Sequence, residues 1–311
     1  MIAIDWKIEE GIMNKEPHHI PVVLEEVIEH LNLSAGGCIL DCTLGLGGHA
    51  SSIVEKLGAQ GHFIGIDRDQ DSLNLARQKL SQFEGKCDLK QEDFRNFDKT
   101  LKALGVSGVD GILFDLGISS FQLNNPQRGF SFQYDGPLDM RMDQGGFISA
   151  YELINSLPEK DLAMILRNFG EERFSQRIAR RLIERRKENP IETTQQLSEE
   201  IFRALPRHYP RQKIHPATRT FQALRIAVNR ELEALGIALD KAVDYLKPNG
   251  RIVVIAFHSL EDRIVKEKFK YFFNNKKLNI LTKKPVRSSD EEIARNPRAR
   301  SARLRAAERI L

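Results

Sequence analysis

The sequence predicts an α/β protein in which a parallel, Rossmann-like sheet is interrupted by an inserted all-helical domain. Three observations lead there. Through Asp115, short apolar runs that end in carboxylates alternate with amphipathic helical stretches, the pattern of right-handed crossovers on a parallel sheet. The alternation then stops for roughly ninety residues that show only loop and helix patterns. It resumes with a long periodic stretch and the apolar run Ile252 to Phe257.

Each element can be justified in turn. His19 to Leu33 reads as a lead-in and an amphipathic helix that Pro21 can start, with Val22, Val23, Val27, Ile28 and Leu31 as its apolar stripe. Cys38 to Asp41 is a short buried strand, followed by the turn Gly45-Leu46-Gly47-Gly48 and a helix through Ser51 to Leu57. His62 to Ile66, ending at Asp67, is the second strand, and its helix runs from about Gln70 to Phe83. Cys87 to Lys90 makes a third, less apolar strand closed by Glu92-Asp93-Phe94, and Val109 to Phe114, ending at Asp115, a fourth. Asn124 to Gly146, rich in Gly, Asn, Asp and Pro, reads as long ordered loops. Helices follow, with capping spacings at Ser156/Glu159 and Thr193/Gln196 and a basic helix from Arg173 to Lys187. Leu224 to Leu246 reads as one long helix before the fifth strand, and Leu278 to Leu281 as a strand in a basic tail. The expected division is 1–124 and 216–311 for the sheet domain, with 125–215 as an inserted helical substrate-recognition domain.

Composition narrows the class. The 311 residues are 41% hydrophobic and 29% charged, and no apolar run reaches the roughly 18 residues of a membrane span. Met1 to His19 carries acids and lacks a signal-peptide core, so it reads as a loosely held extension. Three cysteines, Cys38, Cys42 and Cys87, are too few for a disulfide scaffold and imply reduced, structural roles in a cytoplasmic protein. The net charge of +4 says little, but its distribution says more. Arg263 to Leu311 holds fifteen basic residues against five acidic ones, and Arg173 to Lys187 seven against one. Such clusters can hold a phosphate backbone or form a solvated surface.

Ligands of open parallel sheets bind outside the carboxyl ends of the strands, where four motifs fall. In Asp41 to His49 the missing side chains admit a ligand to the backbone, and the amides at the next helix start favour its negative group. Asp67 is placed for ribose hydroxyls, Asp93-Phe94 for an adenine edge and face, and Asp115 for the reaction centre. Gly45, Gly47 and Ala50 also fit an NAD fingerprint, with Asp67 about twenty residues on. The glycine loop therefore leaves S-adenosylmethionine and NAD open. Asp41, which could reach an amino group, together with Asp93-Phe94 and Asp115, favours S-adenosylmethionine and a methyltransferase over a dehydrogenase or another nucleotide-using enzyme.

Longer motifs carry a resemblance. They are His19-Ile20-Pro21-Val22, the Asp41 to His49 turn, Phe114 to Leu123, Arg128 to Phe132, Asp135 to Asp143, His215 to Arg225, Phe257 to Arg263 and Ser301 to Arg305. Together they make the chain, from His19 onward, resemble the bacterial ribosomal RNA small-subunit methyltransferase H (MraW) family. The resemblance implies a class I S-adenosylmethionine-dependent methyltransferase sheet and transfer of a methyl group to the exocyclic N4 of a cytidine in the decoding centre of 16S rRNA. It implies cofactor contacts from Gly47, Gly48, His49, Asp67 and Phe94, with Asp115 and Gln122 flanking the cofactor and the mouth of the reaction centre. The implied partner is 16S rRNA within the small ribosomal subunit. A homodimer stays open. Leu44 and Leu46 inside the glycine turn are small departures from the motif set.

Methylating an aromatic amine is mainly positioning and electrostatics. Many amino-methyltransferases place Asn/Asp-Pro-Pro-aromatic after the fourth strand. This chain has Asp115-Leu116-Gly117-Ile118, so a variant arrangement is expected, with Asp115 or a nearby carbonyl accepting an N4 hydrogen. Asp139, Arg141 and Asp143 sit in a polar, glycine-flanked loop that suits either substrate or catalytic contact or loop-holding ion pairs. His258, with Ser259 and Asp262, does not make a hydrolase triad, because contiguous residues cannot form one and no G-x-S-x-G elbow exists. Asp115, Asp139 and His258 are the catalytic candidates. Arg141, Asp143, His215 and Arg219 are the substrate-binding ones, His215 and Arg219 suiting RNA contact or interdomain pairing equally. The histidines lack metal-ligand spacing, and the chemistry needs no metal. The rival reading is an S-adenosylmethionine-binding ribosome assembly factor without turnover.

Overall fold

The computed structural model describes residues 21–83, 86–206 and 214–310, so His18, His19 and Ile20 lie outside the described residues. Seven strands form one sheet: β1 (Cys38–Asp41), β2 (His62–Asp67), β3 (Cys87–Gln91), β4 (Val109–Asp115), β5 (Leu246–Ala256), β6 (Leu278–Ile280) and β7 (Arg303–Arg309). Their order is β3-β2-β1-β4-β5-β7-β6. The first five pair in parallel, whereas β7 runs antiparallel to β5 and to β6. The chain moves outward from β1 to β3 and then returns to β4 on the other side of β1. That reversal opens a crevice at the carboxyl ends of β1 and β4, where Asp41 and Asp115 stand.

The inner strands are apolar because both their faces are covered. Leu40, Ile112, Phe114, Ile252 and Val254 pack on one side against α4 (Phe97–Ala103), α11 (Glu231–Tyr245) and α12 (Ser259–Asn274). Their neighbours Ile39, Leu113, Val253 and Ile255 pack on the other side against α1 (Leu24–Leu31), α2 (Gly48–Leu57) and α3 (Gln70–Leu80). Burying each such side chain is worth about 1.5–3 kcal/mol.

The remaining helices are α5 (Ser120–Asn124), α6 (Ala150–Ser156), α7 (Glu159–Gly170), α8 (Ser175–Arg186), α9 (Thr194–Ala204), α10 (Thr218–Asn229) and α13 (Asp290–Arg295). A third apolar cluster, running from Phe130 to Leu224, gathers α6 to α9 with one face of α10. Caps set several boundaries: Ser149 and Glu152 form a reciprocal capping box on α6, and Thr193 caps α9 through the Gln196 amide. The spacing Ser156/Glu159 forms no cap, because Ser156 ends α6 and α7 starts after Pro158.

Two expectations need correction. Leu224 to Leu246 is not one helix; it breaks at Arg230, which adopts a left-handed conformation at φ 51°. The break follows from tertiary hydrogen bonds at buried Asn229. Its Oδ1 accepts the Met142 amide at 2.8 Å, its Nδ2 donates to Met140 O at 2.8 Å, and its carbonyl accepts Arg68 Nη1 at 3.0 Å. The basic tail also holds β7, which lies inside the sheet and not beyond it. Its charges hid the strand pattern, and they end in ion pairs, Arg305 Nε to Asp262 at 2.6 Å and Glu308 to Arg251 Nε at 2.9 Å.

One buried ion pair joins the helical cluster to the sheet. Arg128 Nη1 donates to Asp69 Oδ2 at 2.8 Å with both side chains under 5% exposed, while Nη2 donates to the carbonyls of Arg141 and Met142. Asp69 also caps α3 through the Asp71 amide and accepts Gln122 Nε2 at 2.6 Å. Breaking such a pair leaves an uncompensated buried charge, at a cost of about 3–5 kcal/mol. Arg128→Ala is therefore expected to lower the urea midpoint by an amount equivalent to about 3–5 kcal/mol. A loss below about 1 kcal/mol would show that the pair does not hold the two parts together.

Candidate cofactor and reaction site

The crevice at the switch point forms a cavity of about 460 Å³. Its floor is the turn after β1, where Gly45 (φ 51°) and Gly47 (φ 73°) take left-handed conformations that side chains resist. Leu44 is pinned there through its amide to Ile66 O at 3.0 Å. At the end of β2, Asp67 faces this turn: Oδ2 accepts the Gly45 amide at 2.8 Å and Oδ1 the Asp69 amide at 2.9 Å. Each oxygen keeps lone-pair capacity for a ligand hydroxyl. Phe94, at the end of β3, lines the cavity and packs edge-to-face on Phe114 at 5.9 Å.

Asp115 occupies the centre. Its amide donates to Thr43 Oγ1 at 2.6 Å, its Oδ2 lies 3.5 Å from His49 Nδ1, and its buried Oδ1 has no hydrogen-bond partner among the described residues. His49 is itself fixed by Nε2 against Val22 O at 3.0 Å, which leaves Nδ1 to face the carboxylate. Burial pushes Asp115 up to about 7, and the nearby charge of Glu261 adds to the rise. Burial likewise raises Asp67 to about 6 and Asp41 to about 7, while it lowers His49.

Of the residues singled out from sequence, Gly48, His49, Asp67, Phe94, Asp115 and Gln122 line this cavity, and Gly47 is the residue just before its helix wall. The polar ends of Gln122 are already engaged, Nε2 with Asp69 and Oε1 with the Ser119 amide at 3.1 Å, so it offers the cavity its aliphatic side. Asp41 does not line the cavity; its Oδ1 is held by the Thr43 amide at 2.9 Å. Asp93 turns away too, caps the following 3-10 turn and pairs with Arg68 at 2.5 Å and Arg95 at 2.8 Å.

The other candidates stand outside the cavity. Asp139 and Arg141 pair at 2.6 Å, Arg141 Nη1 donates to Gly146 O, and Asp143 Oδ1 accepts the Gly145 amide, all contacts that hold their loop in place. His258 caps α12 in a reciprocal box with Glu261, and its Nε2 lies 3.2 Å from Glu261 Oε1. His215 stacks on Phe132 at 4.4 Å, and Arg219 Nη1 reaches the Glu171 carbonyl at 3.3 Å.

Sequence reasoning missed the far wall, made by Arg225, Glu231, Leu235, Glu261 and Arg298. Arg225 chelates Glu231 through Nε and Nη2, both at 2.9 Å. Burial alone would raise Glu261, but the hydrogen bond from His258 and the charge of Arg225 hold it below the ordinary value. The fold thus brings His258 together with two glutamates whose ligand-type atoms lie within 4.8 Å of one another. The Arg225 guanidinium already supplies the compensating cation there. The available signal was a carboxylate at each helix start on an otherwise buried face. The C-terminal segment closes one side: Arg298 bonds Ser120 Oγ and Asn124 Oδ1, the latter at 3.2 Å, and Ser301 also lines the cavity.

With this geometry in view, comparison with known proteins decides the family. A family model of the MraW methylase family matches residues 16–310. The chain belongs to the MraW methylase family. It is 51% identical over 303 residues to the ribosomal RNA small subunit methyltransferase H of Thermotoga neapolitana, covering 96% of this chain and 98% of that one. To the protein of the same name from Carboxydothermus hydrogenoformans it is 48% identical over 307 residues, covering 94% and 98%. Likeness to solved structures is remote. The rRNA methylase of Streptococcus thermophilus is 10% identical with a TM-score of 0.42, over 93% of this chain and 94% of that one, and it adds nothing to the assignment. Membership removes the dehydrogenase alternative.

The cofactor of this methylase is S-adenosylmethionine, and the cavity fits it. An unpartnered buried carboxylate oxygen on Asp115 suits a cation, Asp67 a diol and Phe94 a flat ring. Bound, it supplies an activated sulfonium methyl. Because burial raises Asp41, Asp67 and Asp115, the stability they contribute is complete below the ordinary carboxylate range and is lost as pH rises through 6–7. A cationic ligand favours the ionised forms, so the cofactor is expected to bind more tightly at pH 8 than at pH 6, and to raise the melting temperature more. Asp115→Asn is expected to weaken binding and flatten the upper part of that rise. An equal pH dependence in the variant would exclude Asp115 as its source.

Proposed function

We propose that this protein transfers a methyl group from S-adenosylmethionine to the exocyclic N4 of a cytidine in the decoding centre of 16S rRNA, acting on the small ribosomal subunit in the bacterial cytoplasm. The observation that carries the reading is Asp115 Oδ1, a buried carboxylate oxygen with no partner at the centre of the cavity. An amino group on an aromatic ring is a poor nucleophile because its lone pair conjugates with the ring. Accepting one N4–H at Asp115 returns density to nitrogen. The Asp115 carboxylate would take the proton that N4 gives up on methylation, and His49 Nδ1 lies 3.5 Å from its other oxygen, Oδ2. Gly47, Gly48, His49, Asp67 and Phe94 would hold the cofactor, with Gln122 shaping its rim.

The substrate side follows from the same layout. A base must leave its stack to reach this depth. The helical cluster (125–215) and the basic C-terminal segment would form the walls that grip folded RNA by backbone and shape. Arg141, Asp143 and Asp139 would act by fixing the loop that sends Met142 into the cavity. The names of the relatives support rRNA as the substrate class.

The test is methyl transfer from labelled S-adenosylmethionine to small subunits that lack native modification, with nucleoside analysis of the product. Label is expected as N4-methylcytidine, with Asp115→Asn lowering turnover by roughly 100-fold or more. Tight cofactor binding with no label on subunits or free 16S rRNA would favour an assembly factor instead.

A further inference from the structure

A second hollow, of about 620 Å³, opens between the end of α7 and the start of α8. Arg167, Arg173 and Arg177 line it, all exposed, and among the described residues none of the three has a hydrogen-bond or ion-pair partner. Its two carboxylates are already engaged. Glu171 accepts Ser259 Oγ at 2.7 Å and lies 3.4 Å from Arg263, and buried Glu172 accepts the Phe174 amide at 2.8 Å. The rest of α8 behaves differently: Arg180 pairs with Glu159 at 3.6 Å, Arg181 and Arg185 with Glu200 at 2.6 and 3.9 Å, and Arg186 bonds the Ile154 carbonyl. The unpaired guanidiniums of this helix region are therefore gathered in the hollow.

Its position relates it to the reaction site. Glu171, on its rim, is held by Ser259 and by Arg219. Ser259 sits between Phe257 and Glu261, and Arg219 follows Thr218; all three of those neighbours line the cofactor cavity. Glu171 thus ties the rim of the hollow to two segments that wall the cavity. We propose that Arg167, Arg173 and Arg177 form a docking subsite for the phosphodiester backbone of the substrate RNA, holding it where a flipped base enters the cavity. This rests on the rRNA reading above. Guanidinium forks match phosphate oxygens, and clustered cations that no neighbouring carboxylate neutralises gain most from a polyanion.

The test compares wild type with the triple variant Arg167→Gln, Arg173→Gln, Arg177→Gln, and separately with Arg173→Glu in case the triple folds poorly. Binding to small subunits and to free 16S rRNA is measured against salt, alongside KM, kcat and cofactor affinity. The expected result is a KM at least about tenfold higher near 0.15 M salt, with unchanged cofactor affinity and saturated kcat. The slope of log K against log salt should become shallower by about 0.7–0.9 for each phosphate that the variant no longer neutralises. Unchanged KM and slope, with wild type active, would overturn the subsite alone. Weaker subunit binding at an unchanged slope and unchanged affinity for free rRNA would mean a ribosomal-protein contact and also overturn it. Wild type that binds neither subunits nor 16S rRNA would overturn both this and the rRNA reading.

Discussion

The buried ion pair between Arg128 and Asp69 is the constraint on which the rest of the structure depends. Asp69 belongs to the sheet, two residues past the end of β2, and caps α3. Arg128 belongs to the loops that lead to the helical cluster, and it spends its other donors on the carbonyls of Arg141 and Met142. A charge this deeply buried is tolerable only when it is paired and hydrogen-bonded, so the pair fixes register between the two parts. Gln122 completes the knot, tying α5 to the same carboxylate. The end of β2, the stretch from α5 to Arg128 and the loop carrying Met142 are thereby tied together beside one cavity.

The cavity balances opposite demands. Asp67 and Asp115 on its wall, and Asp41 beneath it, are all raised by burial, and a cation beside them would favour their ionised forms. The opposite wall handles its own charges internally, through Arg225 with Glu231 and His258 with Glu261. Asp115 Oδ1 has no such partner among the described residues. That difference separates a structural ionic network from a carboxylate placed for a ligand.

Asn229 shows how tertiary contacts override local preference. The stretch around it is periodic enough for one continuous helix, yet its side chain and carbonyl serve Met140, Met142 and Arg68. Arg230 takes a left-handed turn, which points Glu231 at Arg225 and seats Leu235 on the cavity wall. The break in the helix thus contributes to building the site.

The sequence by itself determined the parallel sheet, the strand-end carboxylates and the glycine turn. Their signals are local: short apolar runs, a terminal acid, and positive φ at glycine. Those elements bring His49, Asp67, Phe94 and Asp115 to one cavity, and Gln122, which only the family resemblance implied, lines it from α5. What only the tertiary structure decided was the fate of charged side chains. Whether Asp41, Asp93, Asp139 or His258 faces a ligand depends on which amide or guanidinium lies beside it after folding, and each found a protein partner instead. The same holds for β7, whose Arg303 and Arg305 pair with Asp262 on α12. Pairing partners separated by tens to hundreds of residues leave no periodic trace in the chain, so only the assembled fold could sort ligand-facing charge from structural charge.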